Sequence, residues 1–148
     1  LSEDFHEYLK ATFLFHTPHY YGHSSLTTDA LAKLPEDEKD YFYATHLNLT
    51  DSINQFLISK LKKSFNKKIK VNAMYINIQH PGMNGKYHTD NCDLTAVYMI
   101  CGSGNLQILK EESSFEENKL VIFKSDKLHR GLAPNKGARI SLAFKLNE

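Results

Sequence analysis

Ile69-Lys70-Val71-Asn72-Ala73-Met74-Tyr75-Ile76-Asn77-Ile78-Gln79-His80 is where this chain changes character. The apolar residues before it recur at helical spacing, and from Ile69 onward they alternate with period two. Side chains on a strand point alternately to opposite faces. One face therefore takes Val71, Ala73, Tyr75, Asn77 and Gln79, and the other takes Met74, Ile76 and Ile78. The second face is plain core. The first ends in polar residues, which suits the wall of a pocket; the plainer alternative is a self-satisfied polar network of Tyr75, Asn77 and Gln79.

Strand patterns continue downstream. The turn Pro81-Gly82-Met83-Asn84-Gly85 leads to a short strand at Lys86–Asp90, and further strands are expected at Leu94–Cys101, Leu106–Lys110, Leu120–Lys124 and Arg139–Leu146. Gly102-Ser103-Gly104 marks another turn. Short strands with turns about every ten residues indicate a sandwich or barrel, not a doubly wound sheet. Upstream, residues 1–68 read as helices and loops. Ser2 is a candidate N-cap, Thr27-Thr28-Asp29 caps a short helix, and Thr50 caps a helix whose apolar face is Ile53, Phe56, Leu57, Leu61 and Phe65. The stretch from Phe13 to Ser25, broken by Pro18 and Gly22, reads as an irregular loop. The fold class is α+β: one domain over 1–148, with a helical buttress at 1–68 and a β core at 69–148.

Composition narrows the partners. The 148 residues are 41% hydrophobic and 24% charged with a formal net charge of +1, ordinary for a globular chain and without the basic footprint of a nucleic-acid binder. Six lysines between Lys60 and Lys70 read as a solvated helix end rather than as a docking patch for an acidic partner. No apolar run approaches a membrane span and no signal peptide opens the sequence, so no membrane partner and a cytoplasmic location are expected. Cys92 and Cys101 have no zinc or disulfide-framework spacing and read as reduced thiols.

The chemistry-bearing residues are sparse and ordered. His88 and Asp90, two apart, share a face of an extended segment. His129 follows 41 residues later, far enough for intervening strands to fold back and complete a set of two imidazoles and one carboxylate. That set suits Fe(II) with open coordination positions, and also catalytic zinc. Arg139 and Ser141 share one strand face, while Ile140, Leu142, Phe144 and Leu146 fill the other. An arginine facing a pocket needs a counter-charge: either a protein carboxylate in a structural ion pair, or a ligand carboxylate gripped by the planar guanidinium and a serine hydroxyl. His16, His19 and His23 form a second cluster, but Pro18 between them favours a loop over a ligand set.

In order and kind, His88-Thr89-Asp90, then His129, then Arg139-Ile140-Ser141 resemble the Fe(II)- and 2-oxoglutarate-dependent dioxygenases, and most of all their prolyl 4-hydroxylase branch. Gln79 through Tyr87 resembles that branch's strand, glycine turn and aromatic before the first ligand, Gly102 through Ile108 its glycine-rich turn and next strand, and Leu120 through Asp126 the strand before its distal histidine. The resemblance spans roughly residues 69–146 and implies a double-stranded β-helix (a jelly-roll, cupin-like core) buttressed by the N-terminal helices. It implies His88, Asp90 and His129 as ligands of Fe(II), and Arg139 and Ser141 as the grip on 2-oxoglutarate. Gln79, Thr95, Val97, Met99 and Leu106 become lining of the co-substrate pocket. Gln79 and Met99 depart from the branch, which commonly has tyrosine at those places. O2 is the second co-substrate, ascorbate a stimulating reductant, and the product pair succinate and a hydroxylated C–H. The implied partner is a peptide, with proline as its target residue, or a small molecule. Tyr20, Tyr21, Met83 and Tyr87 are candidates for the substrate rim. A β-helix binding module without catalysis is the alternative from another class. Oligomeric state is not legible from these residues.

Overall fold

The computed structural model describes residues 1–148. Helix α1 (Glu3–Phe15) is followed by strand β1 (Tyr20–His23), the short helix α2 (Thr28–Ala32), strand β2 (Phe42–His46) and helix α3 (Ser52–Lys62). Seven strands come next: β3 (Lys70–Gln79), β4 (Leu94–Cys101), β5 (Leu106–Ile108), β6 (Glu111–Ser113), β7 (Leu120–Lys124), β8 (His129–Gly131) and β9 (Arg139–Asn147). All pairings are antiparallel. A major sheet runs β1-β2-β3-β9-β4-β7 and a minor sheet runs β6-β5-β8.

The period-two strands put a continuous apolar face on one side of the major sheet. Met74, Ile76, Ile78, Ala96, Tyr98, Ile100, Ile140, Leu142, Phe144 and Leu146 pack there under Leu9 and Phe13 of α1 and Leu57, Ile58 and Leu61 of α3. These helices are the expected buttress. Helix α3 starts one residue later than expected: Asp51 is at the N-cap, and the Thr50 hydroxyl bonds to Asn48 Oδ1 at 2.9 Å instead. Phe56, expected on the buried helix face, is half-exposed, and Ile58 takes its place in the core. Between the two sheets lies a smaller core of Val97, Met99, Leu106, Ile108 and Phe123.

Four expectations are corrected. Residues 1–68 are not only helices and loops, because β1 and β2 lie there and widen the major sheet. Tyr20–His23, read as loop, pairs with β2 across a bulge at Gly22, whose φ of +103° a side chain would strain. Val71 does not share a face with Tyr75. An extra residue, Asn72, is inserted opposite the β9 pair Leu146–Lys145, and this bulge turns Val71 back into the core. Lys86–Asp90 is extended but pairs only once, at His88, against His129.

The Gly102–Gly104 turn is sterically dictated. A Cβ on Gly104, at φ +100°, stands 2.3 Å from the Leu132 carbonyl oxygen, and one on Gly102 stands 2.0 Å from that of Ala138. Both obstacles are backbone. Gly104→Ala is expected to cost at least about 2 kcal/mol, read as a lower urea midpoint with an unchanged denaturant slope.

Candidate metal centre

The cleft between the sheets has a volume of about 110 Å³. Gln79, Thr95, Val97, Arg139, Ser141 and Lys145 line it from the major sheet, and Leu106, His129 and Gly131 from the minor one. His88 and Asp90 enter from the segment after the Gly85 turn.

His88 and His129 face each other across one backbone pair. Each amide donates to the other's carbonyl, at 3.1 and 2.9 Å. Each ring's Nδ1 lies within hydrogen-bond distance of the carbonyl two residues earlier, Lys86 at 2.9 Å for His88 and Lys127 at 2.8 Å for His129. A carbonyl only accepts, so both Nδ1 atoms carry a proton and both Nε2 atoms face the cleft. Those Nε2 atoms lie 3.7 and 3.2 Å from the two oxygens of Asp90. Backbone anchoring of the second ring nitrogen is how metal-bound histidines are oriented. The three donor atoms lie within 4.8 Å of one another, so they fit one divalent ion with positions left over.

Asp90 is oriented from behind. Its Oδ2 accepts from Thr95 Oγ1 at 2.6 Å, and Thr95 lies 2.8 Å from the Ser125 hydroxyl, which lies 3.1 Å from Cys92 Sγ. Since Thr95 spends its one proton on Asp90, Ser125 donates to Thr95. Lys145 Nζ pairs with the same oxygen. Burial works against the charge on Asp90, but His129, Lys145 and Thr95 outweigh it and hold the carboxyl well below the usual range. Burial also opposes the charge on Lys145, and the neighbouring Tyr75 hydroxyl and Asp90 outweigh it and raise its pKa. Burial lowers the His88 pKa, which keeps the ring in the neutral, ligating form.

Arg139 lies at the other end of the cleft, 2% exposed. Its Nε donates to the Gly104 carbonyl at 2.9 Å, and its Nη1 donates to Gln79 Oε1 at 2.8 Å and Ser141 Oγ at 3.2 Å. No carboxylate pairs with it, so the structural ion pair is absent. Nη2 makes no bond, leaving two donors unspent. Burial without a counter-charge lowers its pKa to about 10. Gln79 both lines the cleft and belongs to a network, donating to the Met83 and Gly131 carbonyls at 2.7 and 3.1 Å. Asn77 Oδ1, beside it on the cleft wall, is buried without a partner.

Met99 does not line the cleft. It is fully buried in the small core, with its sulfur 3.4 Å from the Glu116 amide. The four rim candidates are also outside the cleft lining. Tyr20 and Tyr21 are exposed on β1, where Tyr21 packs against Tyr41 and Tyr43. Met83 lies in the turn that Gln79 holds, and Tyr87 turns away to Gln107 and to Arg130 above its ring. His16, His19 and His23 do not gather into a ligand set. His23 lines the cleft alone.

The sequence reading missed Lys145, Asp40 and Gly131. Lys145 was legible, since it continues the Arg139–Ser141–Ala143 face of β9. Asp40, in a stretch with no pattern, was not. Its carboxylate accepts from Ser24 Oγ, from the Ser25 amide at 3.1 Å and from the Lys86 amide at 3.0 Å, so it ties the ligand-bearing segment to the N-terminal half. Burial pushes its pKa up, but these donors prevail and leave it below the ordinary value. A depressed pKa contributes stability above the unfolded-state value that is lost as pH falls through the folded one. Asp40→Asn is expected to cost about 1–3 kcal/mol at neutral pH. The gap from wild type should shrink below about pH 4, as urea titrations across pH will report.

No family model matches the sequence, and no curated protein does. Solved structures do match. An oxidoreductase of the 2OG-Fe(II) oxygenase family from Burkholderia pseudomallei is similar over 95% of this chain and 76% of its own, at 10% identity and TM-score 0.60. The viral collagen prolyl hydroxylase of Paramecium Bursaria Chlorella virus-1, solved as a 2OG complex, is similar over 88% and 96%, at 15% identity and TM-score 0.62. A cupin 2 conserved barrel domain protein from Rhodopseudomonas palustris is similar over 86% and 71%, at 12% identity and TM-score 0.51. The fold is a double-stranded β-helix. That matches the expected class, and at these identities it establishes architecture and leaves activity to the residues of the cleft.

Proposed function

We propose that this chain is an Fe(II)- and 2-oxoglutarate-dependent oxygenase that hydroxylates a C–H bond, with a prolyl residue of a peptide as the favoured substrate. The observation that carries this reading is Arg139: a buried guanidinium with unspent donors and no acidic partner, in the same small cleft as the His88–Asp90–His129 set. An uncompensated buried cation is costly unless a ligand anion answers it, and a carboxylate can accept a charge-assisted hydrogen bond from the unspent Nη2. Similarity in fold to the viral prolyl hydroxylase supports the peptide reading.

When bound, Fe(II) and 2-oxoglutarate supply the oxidation, converting O2 and the oxo acid to succinate, CO2 and one oxygen atom for the substrate. The chain's own contribution is placement. His88, Asp90 and His129 would hold the ion. Gln79, Ser141 and the Gly104 carbonyl fix the plane of the Arg139 guanidinium, so it meets the distal carboxylate in one orientation. Gly131 leaves room for that arrangement: a Cβ there stands 3.1 Å from both Arg139 Nη1 and Gln79 Oε1. Val97 and Leu106 form apolar cleft walls.

One contact favours a second reading, a binding module without catalysis. The Lys145 ammonium neutralises Asp90 with no metal required. Anaerobic addition of Fe(II) and then 2-oxoglutarate separates the two. The oxygenase gives a weak visible chelate band and, on admission of air with ascorbate, succinate; the module gives neither. A shift of +16 on proline-containing peptides that depends on 2-oxoglutarate, read by mass spectrometry, tests the substrate. The same shift confined to small molecules rejects the peptide assignment.

A further inference from the structure

On the helical side of the major sheet, away from the cleft, His6 of α1 is 1% exposed. Its Nδ1 lies 2.5 Å from the Tyr98 hydroxyl, and that hydroxyl donates its single proton to Asn118 Oδ1 at 2.8 Å. Asn118 is oriented in turn by its Nδ2, which donates to the Leu1 carbonyl at 3.0 Å. Tyr98 must therefore accept from His6, the Nδ1 atom carries a proton, and Nε2 points the other way. Nε2 is buried and has no hydrogen-bond partner. The group in front of it is Glu117 Oε2, at 3.7 Å, beyond hydrogen-bond range. In the neutral ring that atom presents a lone pair, which facing a carboxylate across a gap is repulsive unless a positive charge stands between them.

The surroundings supply more anionic ligand atoms. Glu7, Glu117 and His6 each bring one donor atom into a group spanning at most 4.8 Å. Lys10 already places a cation here, with Nζ 2.8 Å from Glu117 Oε2 and 3.6 Å from Glu7 Oε1. Lys10 and both glutamates reach solvent, so the lysine can withdraw along its flexible stem.

We infer that His6 Nε2, Glu7 and Glu117 form a second divalent-metal site, of the kind that takes Zn2+, in which the ion displaces the Lys10 ammonium. One imidazole and two carboxylates plus a water complete a tetrahedral zinc shell, and the Tyr98 hydroxyl orients the histidine as backbone carbonyls orient His88 and His129. The site joins α1 to the loop before β7, so an ion there fastens the buttress to the sheet.

The test is Zn2+ titration by calorimetry on the full chain, untagged, with the cleft centre silenced by His88→Ala and His129→Ala. One ion per chain is expected to bind, against two in the wild type. In the silenced chain, Glu117→Gln and His6→Gln each weaken binding by at least about 100-fold, and Tyr98→Phe by about 10-fold. Lys10→Met strengthens it by about 10-fold, because a competing cation is gone. Glu117 and Lys10 are surface positions, so those two variants report even where His6→Gln fails to fold. No binding by the silenced chain overturns the site, as does binding that neither Glu117→Gln weakens nor Lys10→Met strengthens.

Discussion

His129→Ala is expected to lower Fe(II) or Mn(II) affinity by at least about 100-fold and to bring succinate formation to background. The histidine is 4% exposed, packs edge-on against Phe123 with ring centroids 4.7 Å apart, and carries one third of the proposed ligand set. Removing it leaves His88 and Asp90, and two ligands do not hold a labile divalent ion against water. Asp90 meanwhile keeps Thr95 and Lys145 as partners, so the cleft is not left with a naked carboxylate. Competition with a fluorescent chelator measures the affinity, and urea unfolding of the variant separates lost ligation from the cost of the small cavity. Wild-type turnover after this substitution sinks the metal centre.

Arg139→Met is expected to raise the half-saturating 2-oxoglutarate concentration by at least about 10-fold, since a charge-assisted hydrogen bond of about 1.5–3 kcal/mol is lost. Metal affinity should stay near wild type, because no metal-ligating side chain bonds to Arg139. That split between co-substrate and metal is the diagnostic. The variant also strands the Gly104 carbonyl and Gln79 Oε1, so a loss of about 2 kcal/mol in stability is expected. An unchanged 2-oxoglutarate requirement in the folded fraction shows that the arginine only supports the turn at Gly104.

What could be read from the sequence followed from periodicity. Alternation on β9 placed Arg139 and Ser141 opposite Ile140 and Leu142, and the structure keeps that division. Alternation on β3 was right from Ala73 onward and wrong at Val71, because a bulge adds one residue without any mark in the sequence. The strands β1 and β2 were hidden because they are short and flanked by proline and charged turns. Their place in the sheet depends on β2 pairing with β3, a contact far away along the chain. Met99 satisfied the alternation and still left the cleft, since its long side chain fills the core around Phe123. The aromatic rim residues have fitting chemistry, and chemistry without register does not place a side chain.

The reciprocal backbone pair between His88 and His129 has a consequence for folding as well as for ligation. An ion bridging the two rings closes a loop of 41 residues with a bond that the unfolded chain lacks. An ion that binds the folded chain and not the unfolded one shifts the equilibrium toward the folded state by its binding free energy. Metal loading should therefore slow amide hydrogen exchange at residues 88 and 129 together and more than at the sheet edges, making the ion a removable staple between β8 and the segment that carries His88 and Asp90.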